Sequence, residues 1–408
     1  MEKLNPVLHI GWDPRPIGAL HRAGAEVTCV VPAKDAPGVR AAGAAAIVVP
    51  DPGSVEDILG GLARNSLAPS DFAAVCSANE FYLVQAAAVA EVGGALGAGS
   101  TRTLAMRDKF VQKDLLRRAG LRTAGHTLVE SLERFDPDTL ALPQVIKPLH
   151  GAGAMHTVVV RDPEELRDAV AAARQVADGP WLFEDYVPGQ EFFVDGVVRD
   201  GCVLAFSLSR YFQNMIECHG GGVVAYQTLT ESEAPELYAE SRTLAESAFK
   251  ALDFQDGVFH LEVFWDGQEA VFGECAARVG GGRADRVFEL TFGINLHDEW
   301  ALAALDLPSG IQGEPVRSAE CFGGLNLQCP QGVVVSVPTL EQTLARPGVV
   351  EADIYLVPGA VAPDFNSASH IRSGQAVLTG ADLRQVAERV TGLGTWFHDS
   401  VEVAPAGG

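Results

Sequence analysis

The chain has 408 residues, enough for two or three domains, and 47% hydrophobic with 20% charged residues allows large cores and excludes global disorder. Thirty lysines plus arginines stand against 53 acidic residues, a net charge of −23. Nucleic acid and anionic membrane surfaces are therefore excluded as partners, because both need clustered positive charge.

The first hundred residues alternate short apolar runs with alanine-rich stretches. Val7–Ile10, Glu26–Val31, Ile47–Val49 and Phe72–Cys76 read as buried strands, and Ile17–Arg22, Val55–Arg64 and Phe81–Val92 as helices. This alternation predicts a small Rossmann-like parallel α/β layer. Gly11-Trp-Asp-Pro-Arg-Pro16 after the first strand lacks the glycine fingerprint of dinucleotide binding. Ser77-Ala-Asn-Glu80 after the fourth strand has the form of a capping box, so it reads as a helix start, with a ligand contact by Glu80 as the alternative.

Next come a helix over Arg107–Ala119, a strand at Val145–Lys147, a glycine-containing loop His150–His156 and a strand at Thr157–Val160. A helix at Pro163–Ala177 leads to a strand at Trp181–Glu184 and a hairpin of Glu191–Val198 with Val203–Ser209 around Asp200-Gly201. A helix over Glu233–Leu252 precedes a second hairpin within Val258–Cys275. Beyond Leu307 the chain is β-rich, closing with a helix at Ala381–Val390. The implied division is 1–105, 106–307 and 308–408. The seven cysteines (29, 76, 202, 218, 275, 321 and 329) have no metal-binding spacing and suit a reduced compartment. No secretory leader is read at the N-terminus, and no apolar stretch approaches the roughly 20 residues of a membrane span, so a cytoplasmic location is expected.

Polar residues set into apolar strands carry the chemistry. Only six lysines occur, at 3, 34, 109, 113, 147 and 250. Lys109 lies at a helix start, and Lys147 inside Val-Ile-Lys-Pro calls for a fixed anionic partner. Gly151-Ala-Gly153 can fold backbone N–H groups over an anion. Glu184-Asp-Tyr186-Val187-Pro-Gly189-Gln-Glu191 ends a strand in an exposed turn. Glu262 and Glu274 place two carboxylates in apolar strands, a costly arrangement unless they are paired or bind metal; two carboxylates plus phosphate oxygens suit magnesium.

This ordered set, completed by Arg278-Val-Gly-Gly-Gly, resembles the ATP-grasp superfamily, and Glu274-Cys-Ala-Ala-Arg278 with the β-rich tail most resembles its L-amino-acid (dipeptide) ligases. The resemblance implies an ATP-grasp α/β (α+β) fold with an N-terminal Rossmann-like domain and a β-rich C-terminal domain. It implies ATP and Mg2+ (with Mn2+ as the alternative) and a carboxylate–amine ligase working through an acyl phosphate. Lys109, Lys147 and Arg278 would balance the phosphates, Lys147 and Arg278 as the catalytic cations, and Glu262 and Glu274 would hold the metal. Glu184, Tyr186 and Val187 would surround adenine, Glu191 would meet the ribose, and the loop at Gly151 and Gly153 would exclude water. Two departures stand out: Ala276 where Asn is common, and His156 where glycine is common.

For Glu262 and Glu274 to share a face, the hairpin register matters. A strict two-residue turn at Asp266-Gly267 puts Glu274 on the opposite face, whereas a three-residue loop Asp266–Gln268 pairs it with His260. An odd-length loop or a bulge is therefore expected.

On the substrate side, Tyr211–Gly222 is either a lid carrying Glu217 or His219, or a surface excursion. Arg283 and Arg286 either clamp a substrate carboxylate or sit in salt bridges. His260 is either a core partner of Glu274 or a base. The expected partners are small carboxylates and amines, with homodimerisation open. Bicarbonate- or formate-activating enzymes share the ATP site, and a non-catalytic ATP-binding regulator is the third reading. A P-loop enzyme is excluded, since no G-x-x-x-x-G-K-[ST] occurs.

Overall fold

Apolar runs without alternation need cover on both faces, and the first ninety residues build such a layer. In order they are β1 (Asn5–Ile10), α1 (Pro14–Arg22), β2 (Ala25–Val31), α2 (Ala36–Ala41), β3 (Ala45–Val48), α3 (Val55–Arg64), β4 (Ala74–Cys76) and α4 (Leu83–Gly93). The strands are parallel in the order β3-β2-β1-β4. The computed structural model describes residues 5–137, 140–149, 151, 153–177, 179–220, 222–365, 368 and 370–405, with the backbone alone at 218–220.

One expectation fails in this layer. The capping box does not form, and α4 begins at Leu83. Ser77 Oγ instead donates to the Ile10 carbonyl (2.7 Å) and accepts from Asn79 N–H (3.0 Å), tying β4 to the end of β1. Glu80 is thereby released from helix capping.

The helix expected over Arg107–Ala119 is α6 (Lys109–Arg118), and a further helix, α5 (Ser100–Arg107), runs directly into it. Asp108 adopts an extended backbone between them and its carboxylate accepts from Val111 N–H (2.9 Å), an N-cap that breaks one helix and starts the next. A small antiparallel sheet follows, built of β5 (His126–Val129), β6 (Gln144–Pro148), β7 (Val158–Val160) and β8 (Trp181–Asp185), in the order β5-β8-β6-β7. The helix α7 (Pro163–Val176), capped by Asp162, covers it through Leu166, Val170 and Ala173.

The remaining elements are β9 (Gln190–Arg199), β10 (Cys202–Tyr211), β11 (Ala225–Thr228), α8 (Pro235–Ala251), β12 (Gly257–Trp265), β13 (Ala270–Ala276), α9 (Ala284–Phe292) and α10 (Leu296–Ala304). They are followed by β14 (Cys321–Leu327), β15 (Val333–Ser336), α11 (Leu340–Leu344), β16 (Val349–Ile354), β17 (Gly374–Gly380), α12 (Leu383–Ser400) and β18 (Glu402–Ala404). Asp200 and Gly201 both have positive φ (50° and 69°), as a tight hairpin turn between β9 and β10 requires. One sheet runs β13-β12-β9-β10-β11-β14-β17-β16. It therefore continues across residue 307: Ala225–Gln227 of β11 pair with Gly323–Leu325 of β14. No helix among the described residues is long and apolar enough to cross a membrane.

Candidate active site

The small sheet and the β13 end of the long sheet enclose a cavity that brings together Lys109, Lys113, Lys147, Glu184, Glu262 and Glu274, with Glu80 and Arg278 on its wall. Register creates the carboxylate pair. β12 and β13 are joined by the four residues 266–269, and Trp265 pairs with Ala270, Phe264 with Val271 and Val263 with Phe272. The register then shifts, so that Glu262 stands opposite Glu274 and His260 opposite Ala276. The expected bulge is present, with Gly273 as the extra residue; the three-residue loop and the pairing of Glu274 with His260 are not. A Cβ at Gly273 would lie 2.9 Å from the Glu262 carbonyl, so the bulge needs a residue without one. From α6, Lys113 Nζ donates to the freed Gly273 carbonyl (2.7 Å), while Gln112 exchanges two hydrogen bonds with the Cys275 backbone (2.8 and 2.9 Å).

The lysines are placed by α6 and β6. Lys109 Nζ lies 2.7 Å from Glu274 Oε1 and donates to the Gly151 carbonyl (2.8 Å), linking the glycine loop to β13. Lys147 on β6 meets Glu184 on β8 (2.9 Å), and Lys113 approaches the same carboxylate (3.4 Å). Burial opposes charge on Glu184, but Lys113 and Lys147 outweigh it and hold its pKa below the ordinary value. Burial raises the pKa of Glu262, and Glu274 across the bulge raises it further. Glu274 goes the other way: against its own burial, Lys109 and Lys147 bring it down to about 2. Burial pushes the Lys113 ammonium down. Glu262 is thus a half-buried carboxylate facing a second carboxylate, an arrangement able to hold a cation. Among the described residues no group of three or more metal-binding side chains forms.

Tyr186 and Val187 line the cavity beside Glu191. Tyr186 N–H donates to the Pro143 carbonyl (3.2 Å), fixing the segment between β8 and β9 against the small sheet. Glu191 is buried and its carboxylate accepts from Met215 N–H (2.7 Å); burial and Glu262 hold its pKa well above the ordinary value. In the glycine loop, Gly153 and His156 have positive φ (61° and 54°), the conformation that favours glycine at the His156 position. His150 and Ala152 lie outside the described residues.

Glu80 lines this cavity. Its carboxylate accepts from Arg278 Nε (2.5 Å) and lies 3.4 Å from Arg107 Nε. The first layer therefore orients the arginine at the end of β13.

The substrate-side candidates divide. Asn214, Met215 and Ile216 line the cavity, so the segment after β10 does cover the site, through its backbone and apolar residues; Glu217 is exposed and outside the lining. The side chain of His219 lies outside the described residues. His260 pairs with Asp195 (2.9 Å) and packs on Phe193, correcting the expected contact with Glu274, because the four-residue loop and the bulge each move Glu274 one residue along, to Glu262. Arg283 reaches Asp353, and Arg286 reaches Glu351 and Glu289, so the salt-bridge alternative holds for both arginines. Lys113 and Gln112 were missed. The signal was present: Lys109 and Lys113 are four residues apart and share a helix face.

Residues 140–285 match the ATP-grasp domain family. The L-arginine-specific L-amino acid ligase of Bacillus subtilis is 24% identical over 288 residues, 68% of each chain. The structure of the L-amino acid ligase from Bacillus licheniformis superposes with a TM-score of 0.79 at 19% identity, covering all of both chains. That of carboxyaminoimidazole ribonucleotide synthase from Aspergillus clavatus, complexed with ATP, gives 0.73 at 18% identity over 96% of this chain and 97% of that one. The matched segment contains both facing glutamates, Lys147, the glycine loop and Arg278, so residues 140–285 form an ATP-grasp domain, and the fold of the whole chain is that of the L-amino acid ligase structure.

Proposed function

We propose that the protein joins a carboxylate to an amine at the expense of ATP, releasing ADP and phosphate, with an amino acid or small carboxylic acid as acyl donor and an amino acid as acceptor. The observation that carries this reading is the Glu262–Glu274 pair facing Lys109, Lys147 and Arg278 in one cavity. Glu262 and Glu274 would hold magnesium; when bound it supplies positive charge to the phosphate oxygens, without the amide ligand that Ala276 replaces.

Lys147 and Lys109 would exchange their carboxylate partners for phosphate oxygens as the nucleotide enters. The substrate carboxylate oxygen attacks the γ-phosphorus, the bond to the bridging oxygen breaks, and ADP leaves. The amine nitrogen then attacks the acyl carbon, phosphate leaves, and the amine proton is lost to solvent or phosphate. Positioning and charge neutralisation supply most of the acceleration. Arg278, held by Glu80, is aimed to stabilise the oxyanion of the second step. The loop at Gly151–Gly153 and the cover at Asn214–Ile216 keep water from the acyl phosphate. Glu184, Tyr186, Val187 and Glu191 form the proposed adenosine end; Glu184 supports it by orienting Lys147 and Lys113.

Incubation with ATP, magnesium and pooled amino acids and carboxylic acids is expected to yield ADP and a condensed product by mass spectrometry. ADP release that depends on bicarbonate or formate instead would favour the rival carboxylase or formyltransferase chemistry. Nucleotide binding without turnover for any acceptor would favour a regulator, which both retained carboxylates argue against.

A further inference from the structure

A second cavity, of about 240 Å3, lies where the first layer meets α5, α10 and the start of β12. It shares no lining residue with the nucleotide cavity. Leu83 and Ala87 of α4, Met106 of α5, Val258 of β12 and Trp300 and Ala304 of α10 make it predominantly apolar. Apolar cavities of about 150 Å3 already take a benzene ring. Thr103 lines this space, is 5% exposed, and its hydroxyl has no hydrogen-bond partner among the described residues. A buried hydroxyl left unpaired costs free energy that a ligand group recovers. Behind Trp300 stands His9, ring to ring at 5.9 Å, and burial holds its pKa down to about 4, so no cation backs the inner wall. At the rim are Asp256, Asp306 and Arg102, the last neutralised by Asp253 (2.6 Å). An apolar body, an unpaired buried hydroxyl and a rim of excess negative charge together describe a small-molecule site that disfavours anions.

We propose that this cavity is a second ligand site, separate from the nucleotide site, for a compact uncharged aromatic molecule bearing one hydroxyl or ring N–H to meet Thr103. It does not depend on the ligase reading. It does abut the ligase site: Met106 and Ala277 line the cavity, and the next residues, Arg107 and Arg278, hold Glu80.

Titration of the full-length protein with indole and with phenol, followed by calorimetry, tests it. Saturable binding is expected at one site, undiminished by saturating MgATP, with benzoate binding at least tenfold more weakly. Thr103→Val should weaken binding about threefold to tenfold. Ala304→Phe should abolish it while the circular dichroism and MgATP affinity stay those of wild type, and Ala303→Leu serves if that variant fails to fold. Absence of saturable indole or phenol binding would overturn the proposal. So would binding that survives the filled cavity, is displaced by MgATP, or is matched by benzoate.

Discussion

Glu262 and Glu274 face each other across the bulge, yet removing their charges should change stability in opposite directions. Glu262 is half-buried against a like charge, and its pKa is raised. Its ionisation therefore opposes folding at neutral pH, and Glu262→Gln should stabilise the nucleotide-free protein by about 1 kcal/mol, in the range of other relieved functional sites. Glu274 is the partner of Lys109, which is 6% exposed in its side chain and otherwise bonds only the Gly151 carbonyl among the contacts described. Glu274→Gln should cost about 2 kcal/mol, the loss of a charge-assisted hydrogen bond to a nearly buried ammonium. At roughly 2.1 cal/mol/K per residue, the whole chain unfolding as one unit loses about 0.9 kcal/mol per degree, so Tm should rise about 1 °C and fall about 2 °C respectively.

The pH dependence has the same asymmetry. The gain from Glu262→Gln needs an ionised wild-type carboxylate, so it is present at neutral pH and fades as pH falls towards the ordinary 4.5. The contribution of Glu274 is present above 4.5 and lost only between 4.5 and about 2. Calorimetric unfolding at pH 7 and pH 5 should therefore find the first difference shrunken at pH 5 and the second nearly unchanged. Both variants should lose magnesium-dependent nucleotide binding. Equal destabilisation by both, or wild-type MgATP affinity in either, would refute the reasoning.

Lys147→Ala leaves Glu184 to Lys113 alone and should weaken ATP binding about 10- to 100-fold by calorimetry, with wild-type affinity removing Lys147 from the site. Lys113→Met strips the Gly273 carbonyl and half the cation support of Glu184; a loss of about 3 kcal/mol, a Tm lower by about 3 °C, is expected, and an unchanged Tm would deny that it holds the bulge. Arg286→Ala should shift Tm by less than about 1 °C and leave ATP affinity intact, because its pairs with Glu351 and Glu289 are partly solvated and none of the three residues lines the cavity of the two glutamates. A tenfold fall in ATP affinity in that variant would reinstate it as a ligand residue.

Much of this arrangement was legible in the residue order. The parallel layer, both hairpins and the cavity positions of Lys109, Lys147, Glu184, Glu191, Glu262, Glu274 and Arg278 follow from apolar runs interrupted by charge and from the family motifs. Local pattern failed where long-range contacts decide the outcome. Ser77 has a free choice between capping a helix and bonding the Ile10 carbonyl 67 residues away, and the second, being buried, wins. The partner of His260 depends on how β9 lies beside β12, which sets Asp195 opposite it. Arg283 and Arg286 find carboxylates on β16, some 65 to 70 residues further on, a pairing no local window contains. Asp108 is the exception, a readable N-cap overlooked because the helical pattern runs through it on both sides.

The sheet that continues past residue 307 also sets a schedule for synthesis. β11 has β10 on one side as soon as it emerges, but the strand on its other side, β14, lies about a hundred residues later. At 5 to 20 residues per second a ribosome needs about 5 to 20 s to supply it. Through that interval the nascent chain carries an open strand edge at Ala225–Gln227, the kind of template that recruits other chains. A stop codon or a ribosomal stall between residues 228 and 321 would make that interval permanent, turning an enzyme floor into an aggregation seed.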